Sequence, residues 1–215
     1  MKCEFALLAM VTLAGAQAKA DLLGTAENFA VLGGSTVTNT GPTILTGDLG
    51  VWPGSAITGF PPGIVNGTIY AGDAVAQQAQ DDVTSAYNSL AGLALSQDLT
   101  GQDLGGLTLN PGVYRFASSA QLTGALTLDG LGDPDALFVF QIGSTLTTAS
   151  NSSVLVINGG NCNVFWQVGS SATLGTDTAF TGSILALASV TLNTGADILP
   201  GRALARVGAV TMDSN

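Results

Sequence analysis

Residues 143–197 read GSTLTTASNSSVLVINGGNCNVFWQVGSSATLGTDTAFTGSILALASVTLNTGAD, and this stretch decides the fold. A leucine or methionine flanked by small or hydroxylated residues recurs within it and on both sides of it, with centres 18 to 28 residues apart. Apolar and polar residues that alternate in this way are typical of β-strands. Strands repeated at such intervals predict a solenoid of stacked coils. The five copies are Gln121-Leu122-Thr123, Thr145-Leu146-Thr147, Thr173-Leu174-Gly175, Thr191-Leu192-Asn193 and Thr211-Met212-Asp213.

One segment follows a different period. Apolar residues from Val75 to Ala94 recur at helical spacing, so that the sequence predicts one amphipathic helix over about residues 73–95, with Asp73 as its N-cap and Gly92 as a breaker near its end. Three apolar runs at residues 111–116, 136–141 and 163–168 lie about 25 residues apart. They predict strands whose aromatic side chains stack inside the coils or under the helix.

The first twenty residues have the composition of a secretion signal peptide. Lys2 precedes an apolar run, and Ala18-Lys19-Ala20 provides a small-residue cleavage site. We therefore expect a secreted protein made of a signal peptide at residues 1–20 and a single β-helix domain at residues 21–215. The apolar run is shorter than the ~20 residues that a membrane span requires.

The charge balance limits the possible partners. The whole chain carries a net charge of −10 and has no histidine, and after removal of residues 1–20 its only basic residues are three arginines. Such an acidic chain lacks the basic surface that nucleic acid or an anionic membrane requires. Cys162 would then have no internal partner, and no metal or cofactor site is predicted. We expect a monomer that is indifferent to chelators and reducing agents.

Several blocks of sequence, in the same order, resemble the secreted ice-binding, or antifreeze, protein family of cold-adapted fungi, algae and bacteria. The resemblance extends from about residue 21 to the end of the chain. The blocks are Ala30-Val31-Leu32-Gly33-Gly34-Ser35-Thr36-Val37, Gly47-Asp48-Leu49-Gly50-Val51-Trp52-Pro53-Gly54, Pro111-Gly112-Val113-Tyr114, Val164-Phe165-Trp166-Gln167-Val168-Gly169-Ser170-Ser171-Ala172 and Gly201-Arg202-Ala203-Leu204-Ala205.

The resemblance implies a right-handed β-helix of triangular section, with a long helix along one side and the first coil beside a later one. It also implies a flat face that adsorbs to ice, giving thermal hysteresis and inhibition of ice recrystallisation. Family members often carry the phrase Thr-Ala/Gly-x-Thr/Asn on that face. This chain has the full phrase three times, beginning at Thr40, Thr148 and Thr178, and a partial phrase at Thr58, Thr123 and Thr194.

The predicted ice-binding residues are therefore Thr40, Thr43, Thr58, Thr123, Thr148, Ala149, Asn151, Thr178, Thr181 and Thr194. The outward residues Thr145, Thr147, Thr173, Thr191 and Asn193 form a competing ladder. Asn66 and Asn151 begin N-glycosylation sequons, and a glycan on Asn151 would cover the predicted face. We therefore expect Asn151 to be unmodified.

Two other functions fit a β-solenoid. A polysaccharide lyase or hydrolase would require paired carboxylates with a basic partner. Asp129, Asp133 and Asp135 are close in sequence, but the glycines and the proline among them predict a turn. A structural or adhesive solenoid of the cell surface would require anchoring signals or further domains.

Overall fold

A computed structural model describes residues 22–159 and 163–215. The predicted signal peptide and Cys162 lie outside the described residues. A short 3₁₀ helix at Gly24–Asn28 precedes the strands, and one α-helix, α1, spans Ala74–Ala91. In chain order the strands are β1 Phe29–Gly33, β2 Thr36–Thr40, β3 Ile44–Thr46, β4 Asp48–Val51, β5 Ala56–Thr58, β6 Ile64–Asn66, β7 Ile69–Ala71, β8 Gln97–Asp98, β9 Thr108–Leu109, β10 Gly112–Phe116, β11 Ala120–Leu122, β12 Ala125–Asp129, β13 Phe138–Ile142, β14 Leu146–Thr148, β15 Ser153–Ile157, β16 Val164–Val168, β17 Ala172–Leu174, β18 Ala179–Ala186, β19 Val190–Leu192, β20 Asp197–Ala205 and β21 Val210–Asp213.

These strands pair in parallel and form three faces of a β-helix. The helix-bearing sheet has the order β7-β4-β1-β20-β18-β16-β13-β10-β8, and the seven-stranded sheet has the order β11-β14-β17-β19-β21-β2-β5. The third face consists of β9, β12, β15 and the first residues of β18 and β20, with β3 and β6 paired separately. The predicted mostly-β solenoid with one helix alongside it is confirmed.

The coils do not follow chain order. β1 pairs with β20, and β2 pairs with β21, so the N-terminal strands lie beside the C-terminal coil. This placement confirms the discontinuous order that the resemblance implies. β1 is the neighbour of β20 in one sheet, and β2 is the neighbour of β21 in the other. These pairings join the two ends of the described chain.

Apolar side chains fill the interior of the coils. Tyr114, Phe140 and Trp166 occupy one register of β10, β13 and β16, which confirms the predicted aromatic stack. The ring centroids of Phe140 and Trp166 are 3.9 Å apart and their planes differ by 8°. Phe180 continues the stack, 4.9 Å from Trp166. These large buried rings supply much of the apolar surface removed from water.

α1 lies on the outside of the helix-bearing sheet. Its buried residues, such as Val83 and Leu90, pack in one cluster with Val139 and Phe165 of the sheet. Asp73 caps its N-terminus by accepting hydrogen bonds from the amides of Val75 and Ala76 at 3.1 and 2.9 Å.

The C-terminal end of α1 differs from the prediction, which extended the helix to residue 95. The helix ends at Ala91, with Gly92 as its C-cap, which confirms the predicted breaker at Gly92. The Gln141 side-chain amide, reaching out from β13, donates to the carbonyls of Leu90 and Leu93 at 2.8 and 3.1 Å. Carbonyls left free at a helix end are satisfied in this way by the sheet rather than by a further helical turn.

Candidate functional site

Threonines form a straight row across the seven-stranded sheet. One outward residue of each strand belongs to this row, and the pairing register places these residues opposite one another from strand to strand. Six of the seven are threonine. In order across the sheet the row, hereafter the threonine ladder, is Thr58, Thr38, Thr211, Thr191, Thr173, Thr147 and Gln121.

A second row lies beside the ladder, two residues earlier on each strand. Extending the same register by one residue toward the N-terminus of each strand pairs Thr36 with Ala209. The other strands contribute small or hydroxylated residues to this row. Its remaining members are Ala56, Ser189, Ser171, Thr145 and Ser119. The Thr145 hydroxyl donates to the Ser119 hydroxyl at 2.9 Å, which fixes the position of both side chains.

The sheet beneath these rows is rigid because its inner face is closely packed. Val190, Leu192, Val210 and Met212 point into the core on either side of the outward threonines. A β-branched threonine has few side-chain rotamers, so each methyl and hydroxyl is held in a defined position. The outward residues of the strands carry no charge, apart from Asp213 at the end of β21.

The described part of the chain offers little for other chemistry. No three His, Cys, Asp or Glu residues of residues 22–159 and 163–215 are grouped so as to hold a metal ion. Within the same ranges, no helix has both the length and the apolar character to cross a membrane.

The three carboxylates considered for catalysis lie at one coil corner, with Asp129 at the end of β12 and Asp133 and Asp135 in the segment that follows. Asp129 accepts from the Leu131 amide at 2.9 Å, and Asp133 accepts from the Asp135 amide at 2.8 Å. Asp129 also accepts from the Asn158 side chain at 3.1 Å. The two bonds from backbone amides are local to the coil corner, as expected for Asp in turns, and the bond from Asn158 joins neighbouring coils.

Comparison with known proteins identifies the family of this chain. The family model described as Ice-binding-like matches residues 31–215.

The chain belongs to the ice-binding-like family.

The relatives of this ice-binding-like chain cover most of its length. An ice-binding protein of Nostoc sp. (strain HG1) is 66% identical over 97% of this chain and 80% of its own. The crystal structure of an ice binding protein from an Antarctic Biological Consortium has a TM-score of 0.87 and 54% identity, covering 90% of this chain and 88% of its own. The ice-binding protein of the Antarctic ascomycete Antarctomyces psychrotrophicus has the same TM-score at 43% identity, covering 90% and 95%.

The family's Thr-Ala/Gly-x-Thr/Asn phrase does not form a face in this chain. It begins at the corner between the seven-stranded sheet and the third face, whereas Thr181 lies in β18 where that strand passes from the third face to the helix-bearing sheet. Four of its threonines are buried. The exposed fractions are 0% for Thr43, 3% for Thr148, 1% for Thr178 and 7% for Thr181. The prediction that these four side chains are exposed is therefore wrong, because each one points into the coil.

Two of the buried threonines form an internal hydrogen-bond network. The hydroxyls of Thr148 and Thr178 are 2.8 Å apart, and Thr148 Oγ1 also accepts from the buried Gly175 amide at 2.8 Å. Thr178 Oγ1 is 3.3 Å from the Ala149 carbonyl. These hydroxyls satisfy backbone groups where the chain turns from one face to the next.

The other two buried threonines do the same at other corners. Thr43 donates to the Asn39 side chain and accepts from the Asn215 amide at 3.1 Å. Thr181 Oγ1 donates to the carbonyl of Val154 at 3.0 Å and lies 3.3 Å from that of Leu199. All four residues thus have a structural position inside the corners of the β-helix.

The remaining predicted residues are exposed or half-buried, but they do not form one row. Thr58 belongs to the threonine ladder, and Thr40 lies at the end of β2, opposite Asp213. Ala149 and Asn151 lie in the turn after β14, where Asn151 has a φ of 58°. Asn66, the other sequon asparagine, is exposed at the end of β6.

Thr123 and Thr194 are each hydrogen-bonded to a carboxylate. The Thr123 hydroxyl donates to Asp103 at 2.7 Å, and the Thr194 hydroxyl donates to Asp213. Partial burial raises the pKa of Asp103, but the hydrogen bonds from Gly105 and Thr123 outweigh it and leave the pKa below its ordinary value. Asp103 is therefore a charged group beside Gln121, at the edge of the sheet.

The competing ladder predicted from the sequence is partly assembled. Thr147, Thr173 and Thr191 do lie in one row, and Thr145 lies in the second row. Sequence reasoning missed that Thr38, Thr58 and Thr211 complete the same row. The outward hydroxyls of β2 and β21 could be read from their alternation, but their pairing joins residues 173 positions apart.

Proposed function

We propose that this protein binds ice, and that the outer surface of the seven-stranded sheet makes the contact. The observation that supports the proposal is the threonine ladder, six threonines in one register on a surface with almost no charge. Membership of the ice-binding-like family and the ice-binding proteins among its relatives support the same function.

The spacing of the rows suits an ordered water surface. Neighbouring strands lie about 4.8 Å apart, and alternate residues of one strand lie about 6.7 Å apart. The ladder and its neighbouring row therefore present a two-dimensional grid of hydroxyl and methyl groups with repeats of the same order as those of ice. Each methyl orders the water beside it, and each hydroxyl exchanges a hydrogen bond with that water.

Adsorption at many weak contacts explains the expected activity. A rigid grid loses little conformational entropy on binding, since the side chains are already ordered. A protein held on the ice surface stops growth between the adsorbed molecules. Thermal hysteresis and inhibition of ice recrystallisation follow from that arrest.

Secretion, the monomeric state and a lack of catalytic activity are parts of the same proposal. The signal peptide predicted at residues 1–20 would export the protein, and extracellular ice would then be within its reach. An enzyme is disfavoured because the Asp129 and Asp133 carboxylates accept hydrogen bonds from backbone amides of their own coil corner. A surface adhesin remains the alternative, and it would bind a cell-wall polymer rather than ice.

Tyrosine substitutions test the proposed face. Thr173→Tyr and Thr191→Tyr each place a bulky ring in the middle of the threonine ladder, so that several rungs lose contact with the ice. Thermal hysteresis should fall at least several-fold, whereas an outward substitution changes the free energy of unfolding by only about 0.5 kcal/mol.

Leu155→Tyr is the matched control. Leu155 is 54% exposed in β15, on the third face. Hysteresis and melting temperature should both stay close to those of the unmodified protein. If Leu155→Tyr abolishes hysteresis and the two threonine variants keep it, the third face binds ice. If growing ice takes up neither the unmodified protein nor any variant, the function is not ice binding.

A further inference from the structure

A polar cleft lies on the helix-bearing sheet, beside the C-terminal end of α1. Outward residues of β10, β13 and β16 form its floor in one register, with Arg115 opposite Gln141 and Gln141 opposite Gln167. Tyr87 and Ala91 of α1 form the wall above them. The cleft has a volume of about 480 Å³, and we call it the amide cleft.

The space in the amide cleft exists because the next outward positions carry almost no side chain. Two residues further along the same strands these positions are Ala117, Gly143 and Gly169. Sheet pairing continues to them, since the Gly169 amide donates to the Ile142 carbonyl at 2.7 Å. The backbone is therefore held in place, and the volume that larger side chains would fill stays open.

Gln167 is a buried polar residue of the cleft without a protein partner. It is only 7% exposed, and its side-chain amide makes no hydrogen bond to any of the described residues. The amide lines the amide cleft and is not sealed inside the protein. An amide buried to this extent loses free energy unless another molecule supplies its hydrogen bonds. The cleft therefore favours a polar occupant.

The two neighbouring residues of the row add hydrogen-bonding groups of both kinds. The Gln141 side-chain nitrogen is used by the carbonyls of Leu90 and Leu93, which leaves its Oε1 as an acceptor. Arg115 is exposed, and no carboxylate of the described residues lies within ion-pair distance of its guanidinium. Its N–H groups are donors at the outer end of the cleft.

The charges around the amide cleft favour an uncharged ligand. Asp98 of β8 lies opposite Arg115, one strand away, and offsets its positive charge. The C-terminal end of α1 adds partial negative charge, and the whole chain carries a net charge of −10. An anion is repelled by these charges, and a cation is repelled by Arg115.

We propose that the amide cleft binds one ring of a neutral sugar, with Gln167 as the central contact. Hydroxyl groups both donate and accept, so they match the mixed donors and acceptors of Gln167, Gln141 and Arg115. Neighbouring strands place Gln141 and Gln167 about 4.8 Å apart, a separation of the same order as that of alternate hydroxyls on a six-membered sugar ring. A free sugar and a sugar unit of a polysaccharide offer the same hydroxyls.

Titration with glucose, followed through the NMR signals of the Gln167 side-chain amide and the Gly169 backbone amide, tests the proposal. Both signals should shift saturably, with half-saturation at about 10 mM or below. Maltoheptaose, a short glucose chain, distinguishes the two sources. Binding at least about tenfold tighter than that of glucose assigns the cleft to a polysaccharide, and equal binding assigns it to a free sugar.

Gln167→Leu removes the central amide at nearly constant size. Glucose binding, followed at Gly169, should weaken at least about tenfold. The variant should melt no lower than the unmodified protein, because the amide that it loses had no partner. Gln77→Leu, at an exposed position near the start of α1, is the matched control and should bind glucose unchanged. Arg115→Gln, at the exposed end of the cleft, should weaken binding about threefold or more.

Three outcomes would overturn this proposal. If neither glucose nor maltoheptaose shifts the signals of Gln167 and Gly169, the cleft holds only water. If Gln167→Leu and Arg115→Gln both bind glucose as the unmodified protein does, the sugar lies elsewhere. If glucuronate binds at least about tenfold tighter than glucose, the cleft is an anion site at Arg115. None of these outcomes bears on the threonine ladder, because the amide cleft lies on the helix-bearing sheet.

Discussion

Replacement of Thr148 by valine tests whether the buried threonines contribute to stability and not to contact with ice. Valine keeps the shape of the side chain and removes its hydroxyl. That hydroxyl accepts from the buried Gly175 amide and bonds to the Thr178 hydroxyl, both at 2.8 Å. Thr147, the adjacent residue on β14, points outward and provides a matched control, Thr147→Val.

The expected loss can be worked out from these contacts. A buried amide left without an acceptor costs about 1–3 kcal/mol, and the lost bond between hydroxyls costs about 0.5–1.5 kcal/mol. The additional buried methyl group returns about 0.8 kcal/mol. The net loss is about 2 kcal/mol, which corresponds to a fall in melting temperature of about 4–8 °C for a chain of this length. Thr147→Val should change the free energy of unfolding by less than about 0.5 kcal/mol.

Thermal unfolding followed by circular dichroism measures the difference in stability, and thermal hysteresis measures the effect on activity. Thr148→Val should keep full hysteresis near the freezing point, because the substituted group lies beneath the surface and the protein is still folded. A variant at Thr148 that melts like the unmodified protein but loses hysteresis would refute the assignment of Thr148 to the interior. The predicted role of the Thr-Ala/Gly-x-Thr/Asn phrase in ice contact would then be restored.

Two further predictions concern stability. Partial burial raises the pKa of Asp82, but hydrogen bonds from Thr25 and Gln78 outweigh this effect and leave the pKa below its ordinary value, as similar bonds do for Asp103. The stability that these two carboxylates contribute is present above the unfolded-state pKa of about 3.8. It is lost as pH falls through the lower folded-state pKa. Melting temperature measured from about pH 6 to about pH 2 should fall below about pH 4, and less steeply in Asp82→Asn, whose side chain does not titrate. In Gly54→Ala the new Cβ would press against the Ser35 carbonyl oxygen, so the variant should melt well below the unmodified protein. An unchanged melting temperature would show that Ser35 does not lie against Gly54.

Local patterns predicted the elements of this fold better than they predicted its surface. The alternation around Leu146 and Leu192 identified strands, and the helical spacing after Asp73 identified α1. The same alternation of inward and outward residues applies at Thr148, which it places inside the coil. The Thr-Ala/Gly-x-Thr/Asn phrase had predicted an outward side chain there. Thr148 lies two residues after the buried Leu146, and residues two apart on a strand point to the same side.

The composition of the proposed face could not be read from local sequence. Thr38 and Thr211 become neighbours only because β2 pairs with β21 across most of the chain. Strand spacing predicts that coils stack, but it does not say which coils are adjacent when the order is discontinuous.

The pairing of the first strands with the last ones also determines when the molecule can close. A simple solenoid extends coil by coil as its chain emerges during synthesis. Here Thr38 must wait for Thr211, 173 residues later, before β2 has its partner. One edge of β2 therefore stays open until residues 210–213 of β21 have been synthesised and can pair with it.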